Sequence, residues 1–302
     1  MTPETLHYAK TFRNVNGVRL QMAIAGEPDR PLAILLHGFP DLWQGWHLQI
    51  PSIVAAGFRV IVPNQRGYGQ SDKPNGIPAY DLQHLADDVL AIADSEHCDK
   101  FCLIGHDWGG IIAWWVAANY PSRVSRLVTL NAPHPGVFQK YLLRNPRQLL
   151  RSWYVGFFQL PWLPEALLSA GNYELLFQAV KYTSQTGVFD DSDRRYLVAG
   201  WSENNALTSM LNYYRALARR SSHTLRKRIS VPTLVQFGKR DPTEEPGLAD
   251  ASLAQCDDGR VIWLEHARHW IQREESKRVT ANICSFLSAE TSLSRNDCDR
   301  CL

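Results

Sequence analysis

Long apolar runs are missing from this chain of 302 residues. No window approaches the roughly 18 uninterrupted apolar residues of a membrane-crossing helix, so none is expected. Residues 1–10 lack both a basic stretch and an apolar one, so no secretory leader is expected. Net charge is almost absent, at +2, which removes the electrostatic case for a nucleic-acid partner. One basic cluster, Arg219, Arg220, Arg226, Lys227 and Arg228, is short and broken by polar residues, and reads as a solvated helix face and loop. The six cysteines, Cys98, Cys102, Cys256, Cys284, Cys298 and Cys301, form no disulfide framework. That suits a reducing, cytoplasmic setting. Cys298 and Cys301 make a C-x-x-C on a polar tail, read as exposed and not redox-active. No Cys/His cluster has zinc spacing, so no metal and no cofactor are implied. Repeats, low-complexity segments and a G-x-S-x-G esterase motif are likewise missing.

What is present is an ordinary globular composition, 45% hydrophobic and 21% charged, with ten tryptophans. Short apolar runs alternate with helical patterns through the first 133 residues. Asn16-Gly17 ahead of the alternating Val18 to Ala25 predicts a hairpin. Pro31 to Leu36, Phe58 to Val62, Lys100 to Gly105 and Val124 to Leu130 read as buried strands. Asp81 to Ala93 and Gly110 to Ala118 read as helices. This alternation predicts an α/β fold with a mostly parallel sheet covered on both faces. From His134 to about Ser230 the strand runs stop, and Leu207, Met210, Leu211, Tyr214, Leu217 and Ala218 fall on one helical stripe. Strand runs return at Thr233 to Phe237 and Val261 to Leu264, and Glu275 to Leu287 closes as a helix. The pattern predicts a core domain of residues 1–133 and 229–302, with 134–228 inserted as a helical cap.

Gly105-His106-Asp107-Trp108-Gly109 joins the strand ending at Ile104 to the helix that follows. A strand, a sharp turn and a helix are the setting of a nucleophile elbow, and the flanking glycines remove side chains from a tight bend. Asp107 stands where an esterase has serine. A carboxylate is ionised at neutral pH, and the helix N-terminus favours it further. Attack on saturated carbon gives it an ester, which water can cleave, whereas serine would give an ether with no such exit. The chemistry points to epoxides or alkyl halides. An isolated aspartate at this position could equally be an N-cap.

These motifs resemble those of the epoxide hydrolases of the α/β-hydrolase superfamily, over nearly the whole chain. His37-Gly38-Phe39-Pro40 is similar to their H-G-x-P loop, and Arg66-Gly67-Tyr68-Gly69-Gln70-Ser71-Asp72 to their R-G-x-G-x-S-x motif. The resemblance implies an oxyanion hole from the backbone N–H groups of Phe39 and Trp108, and a cis Phe39–Pro40 bond. It also implies Asp241, in Gly238-Lys239-Arg240-Asp241-Pro242, as the triad acid, and His269 as the base. Arg268 stands where the family usually has glycine, and His266 is a nearby rival, but His269-Trp270 with Gln272 fits the pattern. The other acid position, after Val124 to Leu130, holds Asn131. Glu244 and Glu245 read as solvated loop charges. His269 is expected to be neutral near pH 7. Ser152-Trp153-Tyr154 with Phe158-Gln159, and Leu211-Asn212-Tyr213-Tyr214-Arg215, resemble the segments bearing the family's two cap tyrosines, which implies Tyr154 and Tyr214. The helical stripe separately selects Tyr214 over Tyr213.

Opening an epoxide leaves an alkoxide, which two phenols serve. A haloalkane dehalogenase is the near alternative, but Phe39 offers no halide donor and paired tyrosines are superfluous there. A fluoroacetate-type dehalogenase would have Arg where Trp108 stands. A non-catalytic binding protein on the same fold would lack a triad member, and none is missing. The expected substrate is a small apolar epoxide, in a pocket bordered by Phe39, Trp108, Phe158 and Trp270. Trp43, Trp46, Trp153 and Trp201 are further lining candidates. A homodimer stays open, since nothing in these patterns sets oligomeric state.

Overall fold

The computed structural model describes residues 9–219 and 227–289. Arg220, Arg226, Cys298 and Cys301 lie outside the described residues. Strands β1 (Ala9–Val15) and β2 (Val18–Ala25) form the predicted hairpin, with Asn16 and Gly17 both at positive φ in its turn. The remaining strands are β3 (Leu32–Leu36), β4 (Arg59–Pro63), β5 (Phe101–His106), β6 (Val124–Leu130), β7 (Thr233–Gly238) and β8 (Gly259–Leu264). They build one eight-stranded sheet in the order β1-β2-β4-β3-β5-β6-β7-β8. Every pairing from β4 to β8 across that order is parallel, and β2 alone runs against its neighbours. This is the α/β-hydrolase architecture, with a mostly parallel sheet flanked by helices.

β3 and β5 are buried along their whole lengths, which explains their unbroken apolar runs. The flanking helices are α1 (Ile50–Ala55), α2 (Leu82–Ser95) and α3 (Trp108–Asn119). Asp81 caps α2 by accepting from the Gln83 backbone N–H. α3 is apolar all round because it packs directly against the β5 and β6 strands.

Between β6 and β7 the described elements are helices, α4 (Pro135–Arg144), α5 (Pro146–Arg151), α6 (Trp153–Phe157), α7 (Leu163–Thr183), α8 (Asp191–Trp201) and α9 (Ala206–Arg219), followed by an isolated bridge from Ile229 to Cys256. α7 is interrupted at Ala170–Tyr173, where the backbone leaves helical geometry. α9 packs on the short turn Ile77–Tyr80 and against its neighbouring helices. It is therefore buried on nearly every side from Leu207 to Ala216, save at Thr208. The single stripe expected from periodicity is not what is found: Tyr213 is as buried as Tyr214, while Ala218 is exposed. After β7 come α10 (Gly247–Leu253), then β8, α11 (Ile271–Glu274) and α12 (Ser276–Ser288). Among the described residues no helix is long and apolar enough to cross a membrane. Among the described residues, Cys98, Cys102, Cys256 and Cys284 are not joined in disulfides. Arg219, Lys227 and Arg228 are exposed, and Arg228 pairs with Asp257 at 2.7 Å.

Candidate active site

The turn between β5 and α3 places Asp107 at φ 50° and ψ −120°, a left-handed backbone that costs an aspartate on the order of 1–3 kcal/mol. Glycine on both sides makes the turn feasible. A Cβ on Gly109 would lie 2.2 Å from the Leu36 carbonyl oxygen, and one on Gly38 would lie 2.4 Å from the Asp107 carboxyl group. The His37–Pro40 loop thus presses against the elbow. Its Phe39–Pro40 peptide is cis, as the motif implies.

That contact has a chemical result. The Phe39 backbone N–H donates to Oδ1 of Asp107 at 2.7 Å, and the Trp108 backbone N–H also bonds this carboxylate. Burial pushes the Asp107 carboxyl above the usual aspartate value, opposed by the charge of His269 and by these two donors. The helix end alone does not keep it low, contrary to the simple expectation.

His269 follows β8 and is buried. Its Nδ1–H donates to Oδ2 of Asp241 at 2.8 Å, and its Nε2 lies 3.8 Å from Oδ2 of Asp107. Burial works against the charged ring, but the Asp241 carboxylate, the hydrogen bond to it and the Asp107 carboxylate outweigh this and raise its pKa to about 9. The neutral resting histidine expected from its ordinary pKa is opposed by Asp241, Asp107 and Glu274, each of which favours the charged ring. Asp241, at the end of β7, is fully buried and would be pushed up by that alone. His269 and the Thr243 hydroxyl and backbone N–H draw it down to about 2. His266 is exposed, which ends its rivalry. Arg268 has no positive φ, so nothing in the backbone asks for glycine there.

Three residues that the sequence reading passed over organise this pair. Asn131, rejected as an acid, is buried and donates Nδ2 to Oδ2 of Asp241 at 2.5 Å and to the Arg268 carbonyl at 3.0 Å. Its Oδ1 accepts from the Gly238 backbone N–H at 2.9 Å. His106 donates Nε2–H to the His269 carbonyl at 2.9 Å. Glu274 accepts from the Trp270 backbone N–H at 3.2 Å and from that of Arg268, folding the histidine loop around itself. Glu244 needs correcting. It is buried, Oε2 has no hydrogen-bond partner among the described residues, and burial next to Asp241 and Asp107 raises its pKa well above the usual glutamate value. It is not a solvated loop charge, because α5 covers the loop that carries it. Glu245 instead meets Arg151 at 2.9 Å.

Opposite Asp107 the aromatic side chains converge. Tyr214 packs edge-on to Phe39 at 5.4 Å and Trp108 at 5.0 Å, and Tyr154 stands 6.0 Å from Tyr214. Phe158 touches Phe39, Tyr154 and Tyr214. Burial first, and the Asp107 charge second, raise both phenols well above the ordinary tyrosine value, so both remain O–H donors. Tyr213 has other work: its hydroxyl donates to the Arg66 carbonyl at 2.7 Å. Arg66 itself pairs with Asp88, so the R-G-x-G-x-S-x loop is a scaffold beneath α9.

Trp270 is not part of this aromatic group. Its ring meets His106, His269 and Phe189, and its indole N–H donates to Thr183 Oγ1 at 2.9 Å. Trp46 and Trp201 are fully buried, whereas Trp153 faces outward and is corrected as a lining candidate. His37 keeps both ring nitrogens on backbone groups, those of Gly38 and Gln65.

Residues 31–276 match the alpha/beta hydrolase fold family. Epoxide hydrolase 4 of Homo sapiens is 36% identical over 285 residues, 91% of this chain and 77% of that protein. The chain belongs to the epoxide hydrolase family. AB hydrolase superfamily protein YfhM of Bacillus subtilis is 39% identical to this epoxide hydrolase family member, over 91% of this chain and 96% of its own. The crystal structure of the Bacillus megaterium epoxide hydrolase in complex with an inhibitor superposes with a TM-score of 0.83 at 29% identity. It covers 92% of this chain and 99% of that one.

Proposed function

We propose that this enzyme hydrolyses small apolar epoxides to vicinal diols through an ester on Asp107. One observation carries the reading: the half-buried Tyr154 and the buried Tyr214 share an aromatic enclosure with an elbow aspartate whose Oδ1 is already held by the Phe39 backbone N–H. Oδ2 is then the attacking atom. It forms a bond to an epoxide carbon as the carbon–oxygen bond breaks, and Tyr154 and Tyr214 donate to the departing oxygen. Phe39, Trp108 and Phe158 border the substrate, and Trp270 backs His269. Residues 134–228 act as the cap that brings the phenols to the core.

Alkylation consumes the Asp107 charge, which is one of those that favour the charged His269 ring. The ring's pKa falls, and its proton completes the hydroxyl of the opened epoxide. The neutral Nε2 then takes a proton from water, whose oxygen attacks the ester carbonyl. Asp241 fixes the ring's orientation and stabilises the imidazolium that results. The charge of the tetrahedral intermediate develops on Oδ1, which already accepts from the Phe39 N–H, with the Trp108 N–H bonded to the same carboxylate, so little reorganisation is needed. The imidazolium gives its proton to the leaving diol oxygen, and the proton left on the Asp107 carboxyl group passes to His269, which restores the carboxylate and the imidazolium.

Single turnover of styrene oxide in heavy-oxygen water tests this. Label enters the Asp107 carboxylate and the first diol leaves unlabelled. Labelled diol beside unlabelled Asp107 rejects the ester. n-Butyl bromide releases no bromide; bromide release without diol formation from styrene oxide transfers the site to the dehalogenase reading.

A further inference from the structure

The outer face of the helices from α4 to the start of α7 has an unusual composition. Of the eleven large apolar side chains exposed among the described residues, six lie between Leu143 and Trp162. Leu143 is 87% exposed, Leu150 75%, Trp162 73% and Trp153 67%. Isolated exposed leucines are common on any protein, but this concentration along one stretch of chain is not.

Charge is equally one-sided. No aspartate or glutamate occurs from Trp108 to Pro164, and the first to appear, Glu165, turns inward to pair with Arg215 at 2.7 Å. Lys140, Arg144 and Arg147 are exposed on the same helices as Leu143, Leu149 and Leu150. From Lys140 to Trp162, leucine and tryptophan lie beside arginine and lysine with no acid among them, which is the chemistry of a surface that lies in a bilayer interface. The apolar groups enter the acyl boundary, the indoles sit at headgroup level and the cations meet anionic phosphates. A protein partner of ordinary surface would leave this cation excess unmatched.

We propose that this face docks on anionic lipid membranes without spanning them. The position has a purpose on the reading above, since α6 presents Trp153 outward and carries Tyr154 inward to Tyr214. A lipophilic epoxide is concentrated in the bilayer, and docking holds the cap against that reservoir. The binding itself does not depend on the catalytic reading, because it is measured without substrate.

The test is vesicle flotation of the whole protein. Wild type floats with vesicles of phosphatidylcholine mixed with phosphatidylglycerol, floats less with phosphatidylcholine alone, and is partly released by high salt. Leu143→Ser with Leu150→Ser removes no core contact and lowers the bound fraction on the order of tenfold. Arg144→Glu with Arg147→Glu abolishes the preference for the anionic lipid. Both variants keep the wild-type kcat/KM for a water-soluble epoxide. The proposal is overturned if wild type stays in the aqueous phase with both vesicle types, or if both variants float as wild type does. It is also overturned if wild type is a dimer that Leu143→Ser with Leu150→Ser dissociates, since the face is then an interface between copies.

Discussion

At Asn131 one side-chain amide ties together two pieces of backbone and the candidate acid. Its Nδ2 serves Asp241 and the loop carbonyl of Arg268, while its Oδ1 takes the N–H of Gly238. A hydrogen bond to a buried charge is worth about 1.5–3 kcal/mol. Asn131→Ala is therefore expected to slow hydrolysis of the Asp107 ester by about tenfold to a hundredfold. Alkylation of Asp107 does not use the base, so its rate should stay close to wild type. Rapid quench with mass spectrometry of the Asp107 peptide separates the steps, and the alkylated enzyme should accumulate. Equal slowing of both steps would mean that Asn131 acts only through the fold. The place of Asp241 after a strand, in a Gly-Lys-Arg-Asp-Pro turn, was legible in the sequence. Asn131 was legible as a position but not as a role, because a sequence does not show that the ends of β6 and β7 lie side by side.

At the scale of elements, the two loops that carry acid and base are both fastened to the helices between β6 and β7. On one side Arg151 of α5 donates to the carbonyls of Asp241 at 2.7 Å and Glu244 at 2.9 Å, and Gln148 exchanges hydrogen bonds with Thr243 and Glu245. On the other, the backbone N–H of His269 donates to the Thr183 carbonyl at 3.2 Å, and Arg268 donates to that of Tyr182 at 2.6 Å. Tyr154 lies three residues beyond Arg151, so the clamp that covers the acid also sets the phenol. Arg151→Met keeps the aliphatic stem and removes the charged head. Amide hydrogen exchange across residues 146–158 should quicken, and ring opening should fall several-fold; unchanged exchange would show that the clamp bears no weight. The same cover explains why Glu244, polar and on a loop, is buried. It also explains Tyr213: periodicity gives one buried stripe, but α9 is enclosed by neighbours on more than one side. The choice of Tyr214 rests on which phenol keeps its proton to give: Tyr213 donates to the Arg66 carbonyl, whereas the Tyr214 oxygen accepts from the Trp108 indole.

For the whole molecule, the charges of the site couple its stability to pH. His269 is raised from 6.5 in the unfolded chain to about 9 in the fold, worth on the order of 3 kcal/mol. A raised pKa means that the fold binds this proton more tightly, so the stabilisation is whole below pH 6.5 and is lost as pH climbs through 9. Asp241, lowered to about 2, acts at the other limb, where its contribution is lost as pH falls below 3.8 toward 2. Denaturant melts of wild type should lose midpoint between pH 6.5 and 9, and His269→Gln should flatten that slope. An unchanged slope in the variant would place the titration elsewhere. The sequence by itself determined the alternating strands and helices, the sharp elbow and the identity of its aspartate, because hydrophobic period and glycine spacing are local properties. Tertiary structure alone decided the charge of His269, the burial of Glu244, the task of Asn131 and the outward turn of Trp153. Each of these depends on which distant segments share a low-dielectric space, and one-dimensional order does not carry that distance.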